Sequence, residues 1–264
     1  WVCTICFPAV SHDYMFKHLE VKDGLSNNQV NAIYKDSNGF MWFGTASGLN
    51  RYDGYDVKIY RSQKDDMKSL PDNYIETIQE DGAGNLWILT GAGYAIYNSG
   101  TDSFERNVGA WMWKIGNDGV PSKVYIDTEK AYWLFMAGKG VYRYKTGMKA
   151  AERVKLSLEE LSGGGITSMV ECDEGILMAY DDGTLSCIDK EKLELKWVNR
   201  DIPAELETDE VNTFDLFADR DGRVWVYSVI GVWIYDLPRK TWELRSPRSD
   251  TYNIVRALAQ DKYG

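Results

Sequence analysis

The residues with the clearest chemical potential lie in one short motif, 36-DSNGFMWFGTASGLNRYDG-54. Its Asp-x-Asn-Gly start offers oxygen ligands of the kind that Ca²⁺ prefers. An EF-hand loop also needs a glutamate at its twelfth position, and counting from Asp36 that position is Ser47. The related motif at Asp219 has Ile230 there. The sequence therefore argues against a calcium loop of this type.

The glycines of the motif do not form a phosphate cradle either. A glycine-rich phosphate loop opens a helix whose N-terminus faces the anion, whereas a strand-like apolar run follows each of these turns. His12 and His18 are the two histidines of the chain, and both precede the repeats. Acid–base catalysis by histidine is therefore not expected within the repeats. Most of the 40 acidic residues fall in predicted turns, where solvated acids are the ordinary case. The sequence predicts no catalytic residue, no metal site and no cofactor.

Cysteine spacing and net charge narrow the possible functions further. Cys3 and Cys6 stand near the start, while Cys172 and Cys187 lack the paired spacing of a zinc site. We interpret Cys172 and Cys187 as small buried apolar residues. The formal net charge of −10 opposes contact with nucleic acid or an anionic membrane surface, since both need clustered cations.

The first residues are predicted to be a targeting remnant rather than part of the fold. Residues 1–11 are apolar and end in the small residues Ala9 and Ser11, a pattern typical of the end of a secretory signal peptide. The alternative is an ordinary first strand. Because the basic start of such a signal is missing, we expect the chain to be a fragment. No later segment reaches the about 18 apolar residues that indicate a membrane-spanning helix.

The motif is the middle of a repeat. Turn aspartates recur at positions 36, 81, 127, 173 and 219, at spacings of 45, 46, 46 and 46 residues. Each unit contains an apolar strand, a polar turn, a nearly continuous apolar strand, a glycine-containing turn, a third strand and a variable fourth strand. Four short strands in about 45 residues predict a blade of a β-propeller. Residues 12–264 are thus predicted to be an all-β propeller of four-stranded antiparallel blades, centred near Trp42, Trp87, Trp133, Leu177 and Trp225, with a sixth starting at Val255.

The repeated aspartates and tryptophans are predicted to be structural. In a propeller both faces of a blade pack on neighbours, so large side chains fill the gap between blades. We assign this role to Trp42, Trp87, Trp133 and Trp225, with carbohydrate stacking as the alternative. Asp36, Asp81, Asp127 and Asp219 are assigned to hairpin turns. Two units depart from the pattern: Lys130 replaces a turn glycine, and the fourth unit has a turn shorter by two residues with Leu177 or Ala179 in place of the tryptophan.

Two runs of the chain, 24–54 and 70–90, resemble the two-component regulator propeller repeat. The matching elements are Gly24–Asn28 before the first strand, the motif from Asp36 to Thr45, and Gly48-Leu49 with Tyr52-Asp53. The resemblance is strong over residues 16–105, recognisable over 208–264 and weaker between them. It implies the periplasmic sensor region of a hybrid two-component sensor histidine kinase, a family best known from gut Bacteroidetes.

The resemblance also implies what surrounds this segment in the intact protein. Such proteins have two propellers, usually seven-bladed, and a β-sandwich that leads into the inner membrane. A histidine kinase, a receiver and an AraC-type DNA-binding domain follow inside the cell. This chain would then be an incomplete N-terminal propeller, in which residues 16–21 resemble an outer fourth strand. The implied partners are the other domains of the same chain, an oligosaccharide ligand and a second copy of the receptor, with no nucleic acid contact by this segment.

Three functions remain open for the segment. The first is a sensor that binds polysaccharide-derived oligosaccharides and signals across the membrane to polysaccharide-utilisation genes. The alternatives are a propeller-type lyase or glycosidase, and a passive protein-interaction scaffold. The ligand-binding candidates are Trp111, Trp113, Asn117 and Asp118, which lie outside the structural positions of the repeat and combine stacking with hydrogen bonding. The alternative for the two tryptophans is that they complete an outer strand and pack against its neighbour.

Overall fold

The computed structural model describes residues 18–156, 165–201, 213–228, 231–247 and 258. The predicted signal remnant at residues 1–11 and the predicted start of a sixth blade at Val255 lie outside the described residues. The described chain contains twenty β-strands, an α-helix α1 (Val108–Lys114) and a 3-10 turn at Val21–Asp23. The structure is therefore dominated by strands, in agreement with the all-β prediction.

The strands form five four-stranded antiparallel sheets, each made of strands that are consecutive in the chain. The first sheet contains β1 (Val30–Lys35), β2 (Met41–Thr45), β3 (Gly48–Tyr52) and β4 (Val57–Tyr60). The second contains β5 (Ile75–Glu80), β6 (Leu86–Thr90), β7 (Gly93–Asn98) and β8 (Ser103–Glu105). The third contains β9 (Lys123–Ile126), β10 (Tyr132–Met136), β11 (Gly140–Tyr144) and β12 (Glu152–Arg153). The fourth contains β13 (Ile166–Cys172), β14 (Gly175–Tyr180), β15 (Leu185–Asp189) and β16 (Glu194–Asn199). The fifth contains β17 (Asp215–Ala218), β18 (Arg223–Ser228), β19 (Gly231–Asp236) and β20 (Thr241–Pro247).

The five sheets are the blades of a β-propeller. The first strands of the blades contact one another in chain order, β1 with β5, β5 with β9, β9 with β13 and β13 with β17, so they form the inner side of the ring. The second strands are covered on both faces, and every residue of β10 and of β14 is buried. A strand that packs on both faces reads as a continuous apolar run rather than an alternating one. The predicted propeller of four-stranded blades is confirmed.

Side chains form hydrogen bonds with backbone groups at the free edge of the innermost strands. Each is the terminal strand of its sheet, so one row of its backbone groups has no partner strand. Polar side chains of the preceding blade bind these groups: Asn31 Nδ2 donates to Ile75 O at 2.9 Å, Gln79 Nε2 to Val124 O at 2.9 Å, and Thr167 Oγ1 to Phe214 O at 2.7 Å. These bonds join neighbouring blades close to the axis of the ring.

The segment before the first blade differs from the expectation. Residues 18–20 have no regular structure and Val21–Asp23 is a 3-10 turn, so the prediction of an outer strand at residues 16–21 is wrong for its described part. The cause is local: Asp23 Oδ2 accepts a hydrogen bond from Glu20 N at 3.0 Å, and Asn28 Oδ1 accepts one from Val21 N at 2.8 Å. These side chains take the backbone donors that a strand would use.

Lys130 occupies a left-handed position that other blades give to glycine. Its φ is 63°, and the equivalent Gly39, Gly84 and Gly222 have φ values of 92°, 77° and 75°. We expect Lys130→Gly to raise the free energy of unfolding by about 1 kcal/mol, because a residue with a Cβ is strained in this conformation. Urea denaturation measures the change. Lys130→Ala is the matched control, since it removes the 3.1 Å bond from Nζ to Glu80 O but keeps the strain. Equal effects of the two variants would contradict the strain argument.

Candidate functional site

The turn aspartates of four blades have two hydrogen-bonding roles that sequence analysis did not separate. One carboxylate oxygen accepts a bond from the backbone N–H four residues later, which closes the hairpin turn. The other accepts a bond from the indole N–H six residues later. The indole bonds are Asp36–Trp42 at 2.8 Å, Asp81–Trp87 at 3.3 Å, Asp127–Trp133 at 2.9 Å and Asp219–Trp225 at 2.8 Å. Since both oxygens are occupied by protein donors, these motifs are structural clips.

Three of the four clip tryptophans lie between described blades. Trp42 packs with Tyr60 of its own blade and Tyr97 of the second, and Trp133 packs against Met169 and Ile176 of the fourth. Trp42, Trp87 and Trp133 are at most 1% exposed, whereas Trp225 is half-buried. The three buried indoles are unavailable for stacking on a sugar. In the described part of the chain, His, Cys, Asp and Glu side chains do not form a group of three or more that suits a metal ion.

In the fourth blade the tryptophan of this cross-strand row comes from the outer strand β16 instead of the second strand. Leu177 of β14 pairs with Cys187 of β15, which in turn pairs with Trp197 of β16, so Trp197 lies on the cross-strand row that carries a clip tryptophan elsewhere. Its indole donates to Glu174 Oε2 at 2.5 Å. Cys187 is fully buried and Cys172 is half-buried, and neither is in a disulfide. The tryptophan of this blade thus lies two strands further out than in the other blades, while its carboxylate partner Glu174 stays in the turn before β14.

The shorter turn of the fourth blade opens a notch. A cavity of about 420 Å³ lies between Thr128 in the turn of the third blade and Asp219 and Gly222 in the turn of the fifth. Its lining also includes Cys172 and Asp173. Only residues 173 and 174 separate the paired Cys172 and Gly175, so this turn does not reach as far as its neighbours.

The segment that carries the predicted ligand residues is helical. Residues Val108–Lys114 form α1, so the outer strand of the alternative interpretation is wrong, whereas its packing is found for Trp111, which contacts Trp87 and Tyr132. The helix begins after Asn107, whose Oδ1 accepts a bond from Ala110 N at 3.1 Å. Val108, Met112 and Ile115 are buried, at the i, i+4 and i+7 spacing of one helix face. This face fastens α1 between the second and third blades.

The structure places Trp111 and Trp113 in different surroundings. Trp111 is half-buried, with ring centroids 4.6 Å from Trp87 and 4.9 Å from Tyr132. Trp113 is 75% exposed. Asn117 is half-buried, and its backbone N–H donates to Met112 O at 3.0 Å. The segment therefore offers one fixed indole and one free indole on the same short helix.

Asp118 lies on the surface in an ion pair. Lys139 Nζ approaches Asp118 Oδ1 at 2.6 Å, and this hydrogen bond and charge lower the pKa of the carboxyl group below its usual value. The pair is exposed, so it contributes little to stability. A ligand at this position would compete with Lys139 for the carboxylate.

A small groove beside Trp111 contains polar residues that sequence analysis missed. It has a volume of about 200 Å³ and is lined by Trp111, Asn85, Asn98, Asn107, Glu105 and Lys114, among others. Asn85 Nδ2 donates to Asp81 Oδ2 at 3.0 Å, which fixes its amide. Among the described residues, Asn107 Nδ2 and the ammonium group of Lys114 have no protein partner. The groove thus combines an indole with amide, carboxylate and ammonium groups.

The asparagines of the groove could not be recognised as site residues from the sequence, because they fit the pattern of turns and linkers. Asn85 and Asn98 read as ordinary turn residues, and they become neighbours only because the adjacent Leu86 and Tyr97 pair across β6 and β7. Asn107 reads as a linker residue until the helix that it caps is recognised. A polar residue directly before apolar residues at helical spacing, here Val108, Met112 and Ile115, indicates the start of a helix and could have identified Asn107 as its cap.

Comparison with known proteins identifies the repeats. Residues 24–47 and 69–92 match the family model described as two component regulator propeller. A stretch of 66 residues is 39% identical to a histidine kinase of Formosa agariphila, named histidine kinase P4. That stretch covers 25% of this chain and 5% of the kinase.

Solved structures with the same fold include extracellular domains of proteins assigned to two-component systems. One is the extracellular domain of a protein assigned to a hybrid two-component system of B. thetaiotaomicron, with a TM-score of 0.66 and 21% identity over 89% of this chain. A second domain of this kind from the same organism has a TM-score of 0.59 and 25% identity over 83% of this chain. The chain spans 32% and 31% of these two structures. Among the described residues no helix is long and apolar enough to cross a membrane.

Proposed function

We propose that this chain, whose residues 24–47 and 69–92 are two-component regulator propeller repeats, is a periplasmic ligand-sensing part of a hybrid two-component sensor histidine kinase. The observation that carries the proposal is the coincidence of these repeats with the fold of extracellular receptor domains. The histidine kinase match over 66 residues supports the same context. The kinase itself, the remaining extracytoplasmic domains and an inner-membrane anchor belong to the proposed parent protein, which we expect to act as a homodimer.

The proposed ligands are oligosaccharides released from polysaccharides, and the proposed output is control of polysaccharide-utilisation genes. The groove beside α1 supports this ligand class, because sugars are held by aromatic faces together with amide and carboxylate groups that bond to hydroxyls. Trp111 supplies an indole at the groove, and Lys114 supplies an ammonium group that has no partner among the described residues. Trp113, which does not line the groove, adds an exposed indole on the same helix. The net charge of −10 disfavours polyanionic chains. Neutral oligosaccharides therefore fit this surface best.

The position of α1 suits a signalling role. Val108, Met112 and Ile115 of this region pack with Trp87 of the second blade and Val124 of the third. A ligand that contacts both α1 and the turn of the second blade would favour one relative placement of these parts. Only such a difference in affinity between two receptor states can shift the kinase equilibrium.

Binding without turnover is the expected outcome. Two carboxylates border the groove, and both have protein partners: Asp81 accepts from Trp87 and Asn85, and Glu105 Oε1 accepts from Asn107 N at 2.7 Å. Carboxylates held in this way favour a binding surface over a glycosidase or lyase. A steady concentration of reducing ends or of unsaturated products, measured during incubation with polysaccharide digests, would agree with this expectation. Release of either product would favour the enzymatic alternative.

Calorimetric titration with fractionated polysaccharide digests tests the sensor proposal. We expect Trp113→Ala to weaken binding about tenfold, which corresponds to about 1.4 kcal/mol of lost stacking. Tyr55→Ala is the matched control, because Tyr55 is an exposed aromatic residue of the first blade, 92% exposed and far along the chain from α1. The site assignment would be wrong if Trp113→Ala and Trp111→Phe both bound the digest like the unmodified chain. The absence of binding by any digest would instead favour a scaffold.

A further inference from the structure

The fourth blade has a cysteine where the other blades have the clip aspartate. In the first blade Asp36 lies two positions after the residue that pairs with Trp42, and the clips of the second, third and fifth blades share this register. In the fourth blade Val170 pairs with Leu177, so the equivalent position is that of Cys172. A thiol thus replaces the carboxylate, and a leucine replaces the indole.

A second cysteine lies beside the position of the missing indole. Leu177 of β14 pairs with Cys187 of β15, and Cys172 of β13 pairs with Gly175 of β14. Gly175 has no side chain that would separate the two cysteines, and a Cβ added to it would lie 3.5 Å from the Cys187 sulfur. The sulfur of Cys187 therefore lies directly beside the cross-strand partner of Cys172.

The two thiols contact each other. Cys187 is a fully buried member of the apolar cluster between the fourth and fifth blades, and Cys172 packs against the same cluster as a half-buried residue. A hydrogen bond between the thiols lowers the pKa of Cys172 to about 7 and raises the pKa of Cys187. The thiol pair takes the place of the carboxylate–indole pair of the other blades.

The sheet disfavours a disulfide between these cysteines. Cys172 and Cys187 belong to β13 and β15, which are separated by β14. Strands two places apart in a sheet are about 9–10 Å from each other, whereas a disulfide needs Cα atoms within about 7 Å. An ion held between the two sulfurs spans a larger gap, because two metal–sulfur bonds replace one sulfur–sulfur bond.

The ligand set favours a soft metal ion. Within the described ranges, His, Cys, Asp and Glu side chains do not form a group of three or more suited to a metal, so the two thiols are the ligands at hand. Structural Zn²⁺ takes four ligands, whereas thiolates select Cu(I), whose filled d shell is stable with two sulfur ligands in line. Cys172 lines the notch of about 420 Å³, which gives an ion a path from solvent.

We propose that Cys172 and Cys187 bind one Cu(I) ion between their sulfurs, with the notch as its entrance. Two Cu–S bonds form and the two thiols release two protons, so the complex carries one negative charge and the metal keeps its oxidation state. The ion joins β13 to β15 in the blade that lacks an aspartate–tryptophan clip. The proposal goes beyond the sensing of oligosaccharides at α1, because it concerns other residues and another ligand class.

An anaerobic titration with the acetonitrile complex of Cu(I) tests this site, with bicinchoninate as the competing chelator. The protein carries Cys3→Ser and Cys6→Ser, because these two cysteines outside the described residues offer thiols to the same ion. We expect about one equivalent of Cu(I) to stay with the protein, and X-ray absorption to show two sulfur neighbours. Transfer of all copper to the chelator would overturn the proposal, as would nitrogen or oxygen neighbours in the spectrum.

Single variants in the same background assign the ligands. Cys172→Ser at the notch and Cys187→Ala in the core are each expected to weaken Cu(I) binding by about a hundredfold or more, the upper end of the effect of residues that only support a ligand. Asp173→Asn is the matched control, because Asp173 lines the same notch and its change is expected to leave Cu(I) binding intact. Circular dichroism confirms the fold of each variant. Unchanged binding by Cys172→Ser, or its loss in Asp173→Asn, would overturn the proposal.

Two further measurements keep this test independent of the proposed sensor function. Trp113→Ala is expected to retain Cu(I) like the unmodified residue, since α1 lies between the second and third blades. Cys172→Ser is expected to bind the polysaccharide digest without change. Loss of both Cu(I) and the digest in either variant would contradict two separate sites.

Discussion

Asp127→Ala is expected to lower the free energy of unfolding by about 3–5 kcal/mol, as is usual when a buried, paired charge is removed. The carboxylate is fully buried and accepts bonds from Ala131 N at 2.8 Å and from Trp133 Nε1 at 2.9 Å. The ammonium group of Lys190 lies 3.5 Å from it. The variant leaves these donors without an acceptor in a site that water does not reach. Urea denaturation followed by tryptophan fluorescence measures the loss.

A double-mutant cycle isolates the indole bond of the clip. Trp133→Phe keeps an aromatic ring in the gap between blades but removes the N–H donor. Combined with Asp127→Ala, it should show a coupling of about 1 kcal/mol or more, the range of a buried hydrogen bond to a charged group. Asp118→Ala is the matched control, with an expected loss of about 0.5 kcal/mol or less because its pair with Lys139 is exposed. Additive effects in the cycle would mean that the bond contributes nothing.

The blades could be predicted from the sequence because the repeat fixes them by local rules. A polar turn around Asp36 and a run of apolar residues after it specify a hairpin, and five repetitions specify that each hairpin packs on copies of itself. The indole bonds of the aspartates were not predicted. They join residues six positions apart across a hairpin, so they depend on how far the turn folds back, and residue types alone do not report this distance.

The helix α1 was not predicted because the strand pattern of the repeat, which is correct for the blades, drew attention away from a helical spacing in these residues. Aromatic residues such as Trp111 and Trp113 favour strands, and the blade grammar called for an outer strand near this point. The helix spacing of Val108, Met112 and Ile115 was present in the same residues, as was Asn107 as a cap. Tertiary packing of that apolar face against the second and third blades decided between the two patterns.

The hydrogen bonds at the inner side of the ring illustrate a different limit. Asn31, Gln79 and Thr167 read as ordinary strand residues, and their backbone acceptors lie 44, 45 and 47 positions away in the chain. Only the ring arrangement of the blades brings each donor to its acceptor. Sequence spacing predicts the blade but not these contacts between blades.

Gly175→Ala is expected to cost more than about 4–5 kcal/mol, enough to prevent stable folding of the fourth blade. An added Cβ would lie 2.0 Å from the carbonyl oxygen of Ile188, a backbone atom that cannot rotate away. The φ of Gly175 is also 139°, where residues with a Cβ are strained. The close approach follows from the two-residue turn before β14 and from the bulge at Cys187 and Ile188 in β15.

Gly138→Ala is the matched control for this prediction. Its φ of 71° is also left-handed, but an added Cβ would have no atom within 4 Å, so the expected cost is about 1 kcal/mol from backbone strain alone. Circular dichroism and urea denaturation of both variants give the comparison. A Gly175→Ala protein with the stability of Gly138→Ala would show that β14 and β15 do not approach so closely. In that case the short turn before β14 would not be the cause of the irregular fourth blade. It would not explain the cavity beside this turn either.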